Sequence, residues 1–341
     1  MLQFGKFERP ATVEEALALL QKNKANRILG GGVWLRLQDR RIPCVIDLSA
    51  CGLDRIELDD DRGAWRIGAM VTLHQLECHE DFNASTCGVF EAAVCDIVGV
   101  QMRNLATVGG SLYGRFGFSD ILTALLPLGC EVELAGAGTV PLAEFATAKA
   151  YERDILTHLV VPAHADLTAA FICVRRQSTD FSVLNVAAAR VGGAWSVAVG
   201  ARPARAVLVG SDALGLPATF GAGATPARVA EDGSVVPAIL SDEDAAALEG
   251  ALDAFAALTF GDNMRASKRY RRHLARELGR RAILEAAGLA APIAPAEPAF
   301  RAAAGEDHAS AAAEARDGLG GSTLGFSANA ALDAAKEADA C

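Results

Sequence analysis

Apolar positions along this chain switch repeatedly between the helical period of 3.6 residues and the two-residue alternation of strands. In "TVEEALALL", Ala16, Leu19 and Leu20 share one helical face, and Thr12 with Glu15 three residues on is a capping box, so a helix starts at Thr12. Arg27–Leu29 reads as a short strand entering three glycines, Gly30, Gly31 and Gly32, and "VWLRLQDRR" beyond them can begin a helical turn. "PCVIDLS" reads as a buried strand, "DRIEL" and "AWRIGA" as a hairpin around residues 60–63, and residues 73–79 as a helix. Residues 89–101 are helical in pattern and lead to a short β-type run before a second glycine pair, Gly109 and Gly110. In "FSDILTALLPLG", Ser119 is placed as an N-cap, Asp120 lies in the first turn and Gly129 stops the helix. "CEVELAGAGTVPLAEF" is a second hairpin, and residues 155–162 form a closing strand.

Composition changes near residues 163–167, and the pattern changes with it. "TAAFICVRR", "SVLNVAAARV" and "AWSVAVGARPARAVLVG" alternate as strands of an antiparallel sheet, followed by an acidic helix at 242–258 and a strongly basic one at 264–284. From about residue 286 the chain is rich in alanine, punctuated by proline and short of large apolar groups, which predicts a disordered or loosely helical tail.

With 341 residues the chain can bury about two domains. Its mean hydropathy is +0.23, but no run of about 18 apolar residues occurs, which argues against a membrane span. The N-terminus carries charges and lacks the apolar core of a secretory signal, so a cytoplasmic location is expected. A net charge of −10 opposes general nucleic-acid binding. The eight cysteines show neither C-x-x-C nor ferredoxin spacing, so no iron–sulfur cluster or structural zinc is expected, and the scattered histidines predict no metal site.

Glycine turns between a strand and a helix start can aim consecutive amide N–H groups at an anion, and the missing Cβ lets a pyrophosphate approach. The same glycines can simply shape tight turns. Neither G-x-G-x-x-G nor G-x-x-x-x-G-K-[ST] is present, so neither a Rossmann NAD site nor a P-loop is supported. Asp120 is either a favourable first-turn carboxylate or an acceptor for a cofactor hydroxyl. No set of nucleophile, base and orienting group stands out, so no catalytic residue is assigned.

Four segments in order, "ILGGGVWLRLQDRRIPCVIDLS", "WRIGAMVTLHQL", "QMRNLATVGGSLYGRFGFSDILTALLPLGCEVEL" and "NMRASKRYRRHLARELGRRA", resemble the FAD-binding medium subunit of molybdenum hydroxylases. This is the family of xanthine dehydrogenase and the carbon monoxide dehydrogenase flavoprotein. The resemblance implies an α+β chain. Residues 1–165 would form a two-lobed FAD-binding domain of the p-cresol methylhydroxylase (PCMH) type, and residues 166–286 a CO dehydrogenase flavoprotein-like C-terminal domain. An alanine-rich tail would follow at 287–341.

It further implies FAD contacts along Arg27, Ile28, Leu29, Gly30, Gly31, Gly32, Val33 and Trp34, and along Thr107, Val108, Gly109, Gly110 and Ser111. Arg103 and Asp120 fall on family motif positions, and Ile97 and Leu156 on apolar positions near the flavin rings. Gly32 replaces a usual hydroxyl residue, Ser111 a usual Asn, and Asn263 an Asp found in many relatives; "YGRFGF" stands where "ASPAA" is common, placing Arg115, Phe116 and Phe118 near the expected flavin edge.

The implied function is electron transfer. A two-cluster [2Fe-2S] small subunit would pass electrons from a molybdopterin-binding large subunit, where a purine or other N-heterocycle is hydroxylated, through this FAD to NAD+ or another acceptor. Two alternatives stay open: an assembly or structural homologue that has lost FAD, and a stand-alone FAD oxidoreductase. The basic segment at 265–281, with eight Lys/Arg and one acid, carries Tyr270, Leu274 and Leu278 on a narrow apolar stripe and is open to a nucleic-acid or membrane-surface reading; the resemblance favours a helix packed on the flavin domain, its arginines meeting acidic partners or solvent.

Overall fold

Three parallel strands open the chain: β1 (Gln3–Glu8), β2 (Arg27–Leu29) and β3 (Arg41–Asp47), in the order β1-β3-β2, with α1 (Val13–Lys22) between the first two in sequence. The structure is a computed structural model and describes residues 2–148, 153–230 and 232–290. Helix α1 starts where its sequence signals it. Thr12 Oγ1 accepts the Glu15 amide, while the Glu15 carboxylate accepts the N–H of Ala11 rather than that of Thr12. Ala16 and Leu20 of this helix pack on Cys44, Ile46 and Leu48. Strand β1 carries no readable period, because Phe4 and Phe7 are both more than half exposed.

A five-stranded antiparallel sheet follows, built from β4 (Ile56–Asp59), β5 (Ala64–Gly68), β6 (Glu131–Leu134), β7 (Gly138–Pro141) and β8 (Leu156–Pro162), in the order β4-β5-β8-β6-β7. Between β5 and β6 lie six short helices: α2 (Leu73–Glu77), α3 (Glu80–Ser85), α4 (Val89–Val94), α5 (Val100–Arg103), α6 (Val108–Tyr113) and α7 (Asp120–Leu125); α8 (Leu142–Thr147) links β7 to β8. Trp65, Ile67, Val132 and Leu159 bury one sheet face against Leu73, Phe82, Phe90 and Leu122 of these helices.

Two expectations are corrected in this segment. The single helix expected at 89–101 is two, because the chain breaks after α4 and Val98 takes a positive φ of 52° before α5. The β-type run expected before Gly109 is not a strand. Thr107 makes only an isolated bridge with Thr72, and both glycines lie inside the first turn of α6.

The second half begins with a four-stranded antiparallel sheet of β9 (Thr168–Val174), β10 (Leu184–Val191), β11 (Ala194–Gly200) and β12 (Val207–Val209), in the order β12-β11-β10-β9, followed by α9 (Ser211–Leu214). Residues 228–236 hold a hairpin of β13 (Arg228–Val229) and β14 (Val235–Val236), which groups apart from the main body of the chain. Helices α10 (Asp242–Ala256) and α11 (Lys268–Ala286) cover one face of the sheet, with Leu252, Phe255, Leu278 and Ala282 against Val186, Ala188, Trp195 and Val197. The other face turns small alanines, Ala189 and Ala198, into the core that contains the five-stranded sheet.

Helix α11 differs from its sequence reading. Tyr270 is 46% exposed, whereas Arg271 is 1% exposed and takes its place on the buried side. Arg276 pairs with Asp253 and with Glu249 at 2.7 Å, and Arg280 with Glu249 at 2.6 Å, so acidic groups of α10 neutralise part of the basic face. Beyond α11, Leu289 is buried against the same core. The tail expected at 287–341 otherwise lies outside the described residues from 291 onward.

Candidate cofactor site

The two glycine segments, about 80 positions apart in sequence, touch each other. A Cβ on Gly30 would lie 2.6 Å from Thr107 Oγ1, and one on Gly31 only 1.3 Å from the carbonyl oxygen of Leu105. Gly31 is therefore required by the approach of protein backbone to protein backbone. Gly32 has a φ of +70°, which reverses the chain into the 3-10 turn Leu35–Leu37.

The amide donors on the two segments are in different states. Thr107 caps α6 by accepting the Gly110 amide at 3.2 Å; Val108 N–H donates to Val71 O and Gly109 N–H to Ala69 O, both at 2.9 Å. The anion nest expected at Gly109 and Gly110 thus has its amides committed within the protein. Ser111 Oγ donates to Thr107 O at 2.8 Å, inside its own helix. On the first segment, the N–H groups of Gly31, Gly32, Val33 and Trp34 have no acceptor among the described residues. Four consecutive amides beside a positive-φ glycine are what a diphosphate needs, so this segment fits the group that the resemblance implies. Gly110 adds room, since a Cβ there meets only Thr107 Oγ1 at 3.1 Å.

The flanking residues anchor this segment. Arg27 Nη1 donates to Lys24 O and Asn26 O, both at 2.8 Å; Ile28 packs on the core under α1, and Leu29 pairs with Asp47 in the sheet. Arg103 is 7% exposed, donating from Nε to Glu77 at 2.7 Å and from Nη1 to the Ile97 carbonyl at 3.2 Å. It holds the strained Ile97–Val98 turn in place. Leu156 is 4% exposed on β8, within the core against which Ile97 packs.

Asp120 is a first-turn carboxylate and more. Its Oδ1 accepts from Ser182 Oγ and Asn185 Nδ2, both at 2.5 Å, and its Oδ2 from Arg175 Nη2 at 3.0 Å. Arg175 also reaches Asp96 at 2.9 Å. Burial opposes charge on this guanidinium, but the two carboxylates hold its pKa above the ordinary value. Burial pushes the neighbouring Cys173 thiol up to about 11. Three protein donors leave Asp120 about one lone-pair site for a ligand. Its main role in the fold is a clasp between α7 and strands β9 and β10. Ser182, Asn185 and Arg175 were not singled out from sequence, since each is an ordinary polar residue in a strand pattern and only the fold brings them to Asp120.

The "YGRFGF" departure divides in two. Arg115 turns away from the glycine segments, donating to Ala148 O at 2.7 Å beyond α8 and lying 4.8 Å from the Phe145 ring. Phe116 and Phe118 turn toward Trp34, with ring centroids 5.1 and 5.5 Å from the indole. Phe181, between β9 and β10, completes the cluster at 4.4 Å from Phe118.

Among the described residues no group of three or more His, Cys, Asp or Glu side chains could hold a metal, and no helix is long and apolar enough to cross a membrane.

Comparison with known proteins places these features. The chain is 30% identical over 155 residues to the xanthine dehydrogenase FAD-binding subunit of Escherichia coli O157:H7, covering 43% of this chain and 52% of that protein. It is 27% identical over 199 residues to the nicotinate dehydrogenase FAD-subunit of Eubacterium barkeri, covering 53% of this chain and 66% of the relative. The chain thus spans between half and two thirds of the length of these two relatives. In fold it is similar to a chain of reconstituted CO dehydrogenase from Oligotropha carboxidovorans, with a TM-score of 0.68 at 22% identity, covering 83% of this chain and 98% of that one. That likeness agrees with the α+β architecture described above. Residues 2–164, which contain both glycine segments, match the family of the FAD binding domain in molybdopterin dehydrogenase.

Proposed function

We propose that the chain is the FAD-binding, electron-transferring subunit of a heteromeric molybdenum hydroxylase. The observation that carries the reading is the run of four unpaired amides at Gly31–Trp34, set against Thr107 and Leu105 of the second glycine segment inside the family-matched region. Those amides would hold the FAD diphosphate, with Gly30 and Gly110 keeping the approach open. Arg103 positions the Ile97 turn, and Asp120 keeps one acceptor site for a cofactor hydroxyl. Bound FAD supplies the redox chemistry, which accounts for the lack of an acid–base set among these residues. A partner with two [2Fe-2S] clusters would deliver electrons from a molybdopterin-binding subunit, and NAD+ or another acceptor would take them. In this reading residues 1–165 are the flavin domain and 166–286 the C-terminal domain that braces it through Asp120.

The experiment is to purify the full chain, record its visible spectrum and identify the released chromophore by mass. One FAD per chain is the expected result. A folded, colourless protein that ignores added FAD overturns the proposal.

A further inference from the structure

Trp34 joins two features that are separate elsewhere in the chain. Its amide is the last of the four unpaired donors, and its indole is the centre of a cluster drawn from three segments: the glycine segment, the loop before α7 and the β9–β10 connection. The indole lies 6.1 Å from Phe181 at an interplanar angle of 26°, and the Arg265 guanidinium covers the outer side of Phe181 at 4.8 Å. All four rings are half-buried. Among the described residues the Trp34 side chain makes no hydrogen bond, and its ring neighbours are Phe116, Phe118 and Phe181.

We propose that Trp34 is the ring-stacking residue of the FAD site, exchanging a phenylalanine neighbour for the isoalloxazine ring when the cofactor binds. This rests on the FAD-subunit reading above. A diphosphate held by the Gly31–Trp34 amides tethers its heterocycle close to the one aromatic side chain of that segment. Offset stacking of an electron-rich indole on an electron-poor flavin replaces contacts of the same kind, so no hydrogen bond is broken in the exchange. Gly32, at positive φ, gives the segment a backbone joint on which the indole can turn.

The optical background favours a direct test. The other two tryptophans are buried, Trp65 at 7% and Trp195 at 0% exposure, and belong to the cores of the two sheets. An indole in van der Waals contact with a flavin quenches its emission by electron transfer, and a benzene ring does not. The full chain is reconstituted with FAD as wild type, Trp34→Phe and Trp34→Ala, with occupancy set equal by absorbance. Bound FAD is expected to emit about tenfold more strongly in Trp34→Phe than in wild type. The dissociation constant should stay within about threefold in Trp34→Phe and weaken about tenfold in Trp34→Ala, as expected for a lost ring contact. The near-ultraviolet dichroism of Trp65 and Trp195 verifies that each variant is folded. Equal emission from wild type and Trp34→Phe overturns the stacking proposal while leaving the FAD reading standing. A wild-type chain that takes up no FAD overturns both.

Discussion

Replacing Gly31 by alanine tests the contact between the two glycine segments with no ligand present. The added Cβ starts 1.3 Å from Leu105 O and 2.3 Å from the Leu105 carbonyl carbon. A carbon and a carbonyl oxygen need about 3.3 Å, so the segments must part by about 2 Å. Neither side can give way cheaply. The carbonyl belongs to a turn in which the Leu105 and Ala106 amides both donate to Met102 O, and Ala106 O in turn accepts from Leu73. Forcing one carbon into a packed site costs about 1–3 kcal/mol, and the stiffer unfolded chain returns about 0.4–1 kcal/mol, for a net loss of about 1.3 kcal/mol. In a chain of this size, with about 2.1 cal/mol/K of unfolding entropy per residue, that lowers Tm by about 2 °C. Thermal unfolding of the cofactor-free protein, followed by circular dichroism, reads the effect. Gly110→Ala is the control, because its Cβ meets only a side-chain hydroxyl at 3.1 Å, and it should stay within about 0.5 kcal/mol of wild type. A Gly31→Ala protein as stable as the control would refute the close-approach argument.

Other substitutions probe buried charge, strain and titration. Arg271 donates to three backbone carbonyls and, at 2.7 Å, to the amide oxygen of Asn263, with burial pulling its pKa below the ordinary value. Asn263→Asp supplies a charged acceptor and should raise stability by about 1 kcal/mol in urea unfolding; a loss would contradict the geometry. Val98 is a β-branched residue at φ 52°, so Val98→Gly should gain about 0.5–1 kcal/mol after glycine's entropy cost, and a lowered Tm would show that the turn is not strained. Burial and Arg66 hold the His158 pKa below its ordinary value of 6.5. The unfolded chain therefore takes up this proton first as the pH falls, and the stability contribution is complete above about pH 6.5 and lost below it. Urea midpoints between pH 7.5 and 5.5 should slope less in His158→Gln; equal slopes would exclude His158 as the source.

Much of the fold was legible because caps and periods are local. Thr12, Ser119 and Gly129 mark their helix ends in sequence and in structure, and the hairpins follow from alternation bounded by turn residues. Strand β1 was missed because it buries no alternating face. Arg271 was misread for a related reason. A guanidinium in a basic run looks solvated, and only the carbonyls of Val183, Gly261 and Ala266, delivered by distant segments, make its burial tolerable. At the candidate site the two glycine segments were visible as a pair, but their reasons were not. Gly31 serves a backbone contact and Gly109 a crowded approach to Ala69, which no spacing rule separates from a ligand's needs.

The alanine face of the four-stranded sheet has a consequence for synthesis of the chain. Ala189 and Ala198 belong to the same buried cluster as Leu122 and Leu159, and Phe171 and Ala187 to one with Val89, Ala93 and Ala124. As the chain leaves the ribosome, its N-terminal half therefore emerges with part of its core uncovered and with Asp120 lacking all three donors. It must wait until residues beyond β10 have been translated. A protein shortened at residue 165 lacks these contacts and should require the missing half in trans to stay in solution.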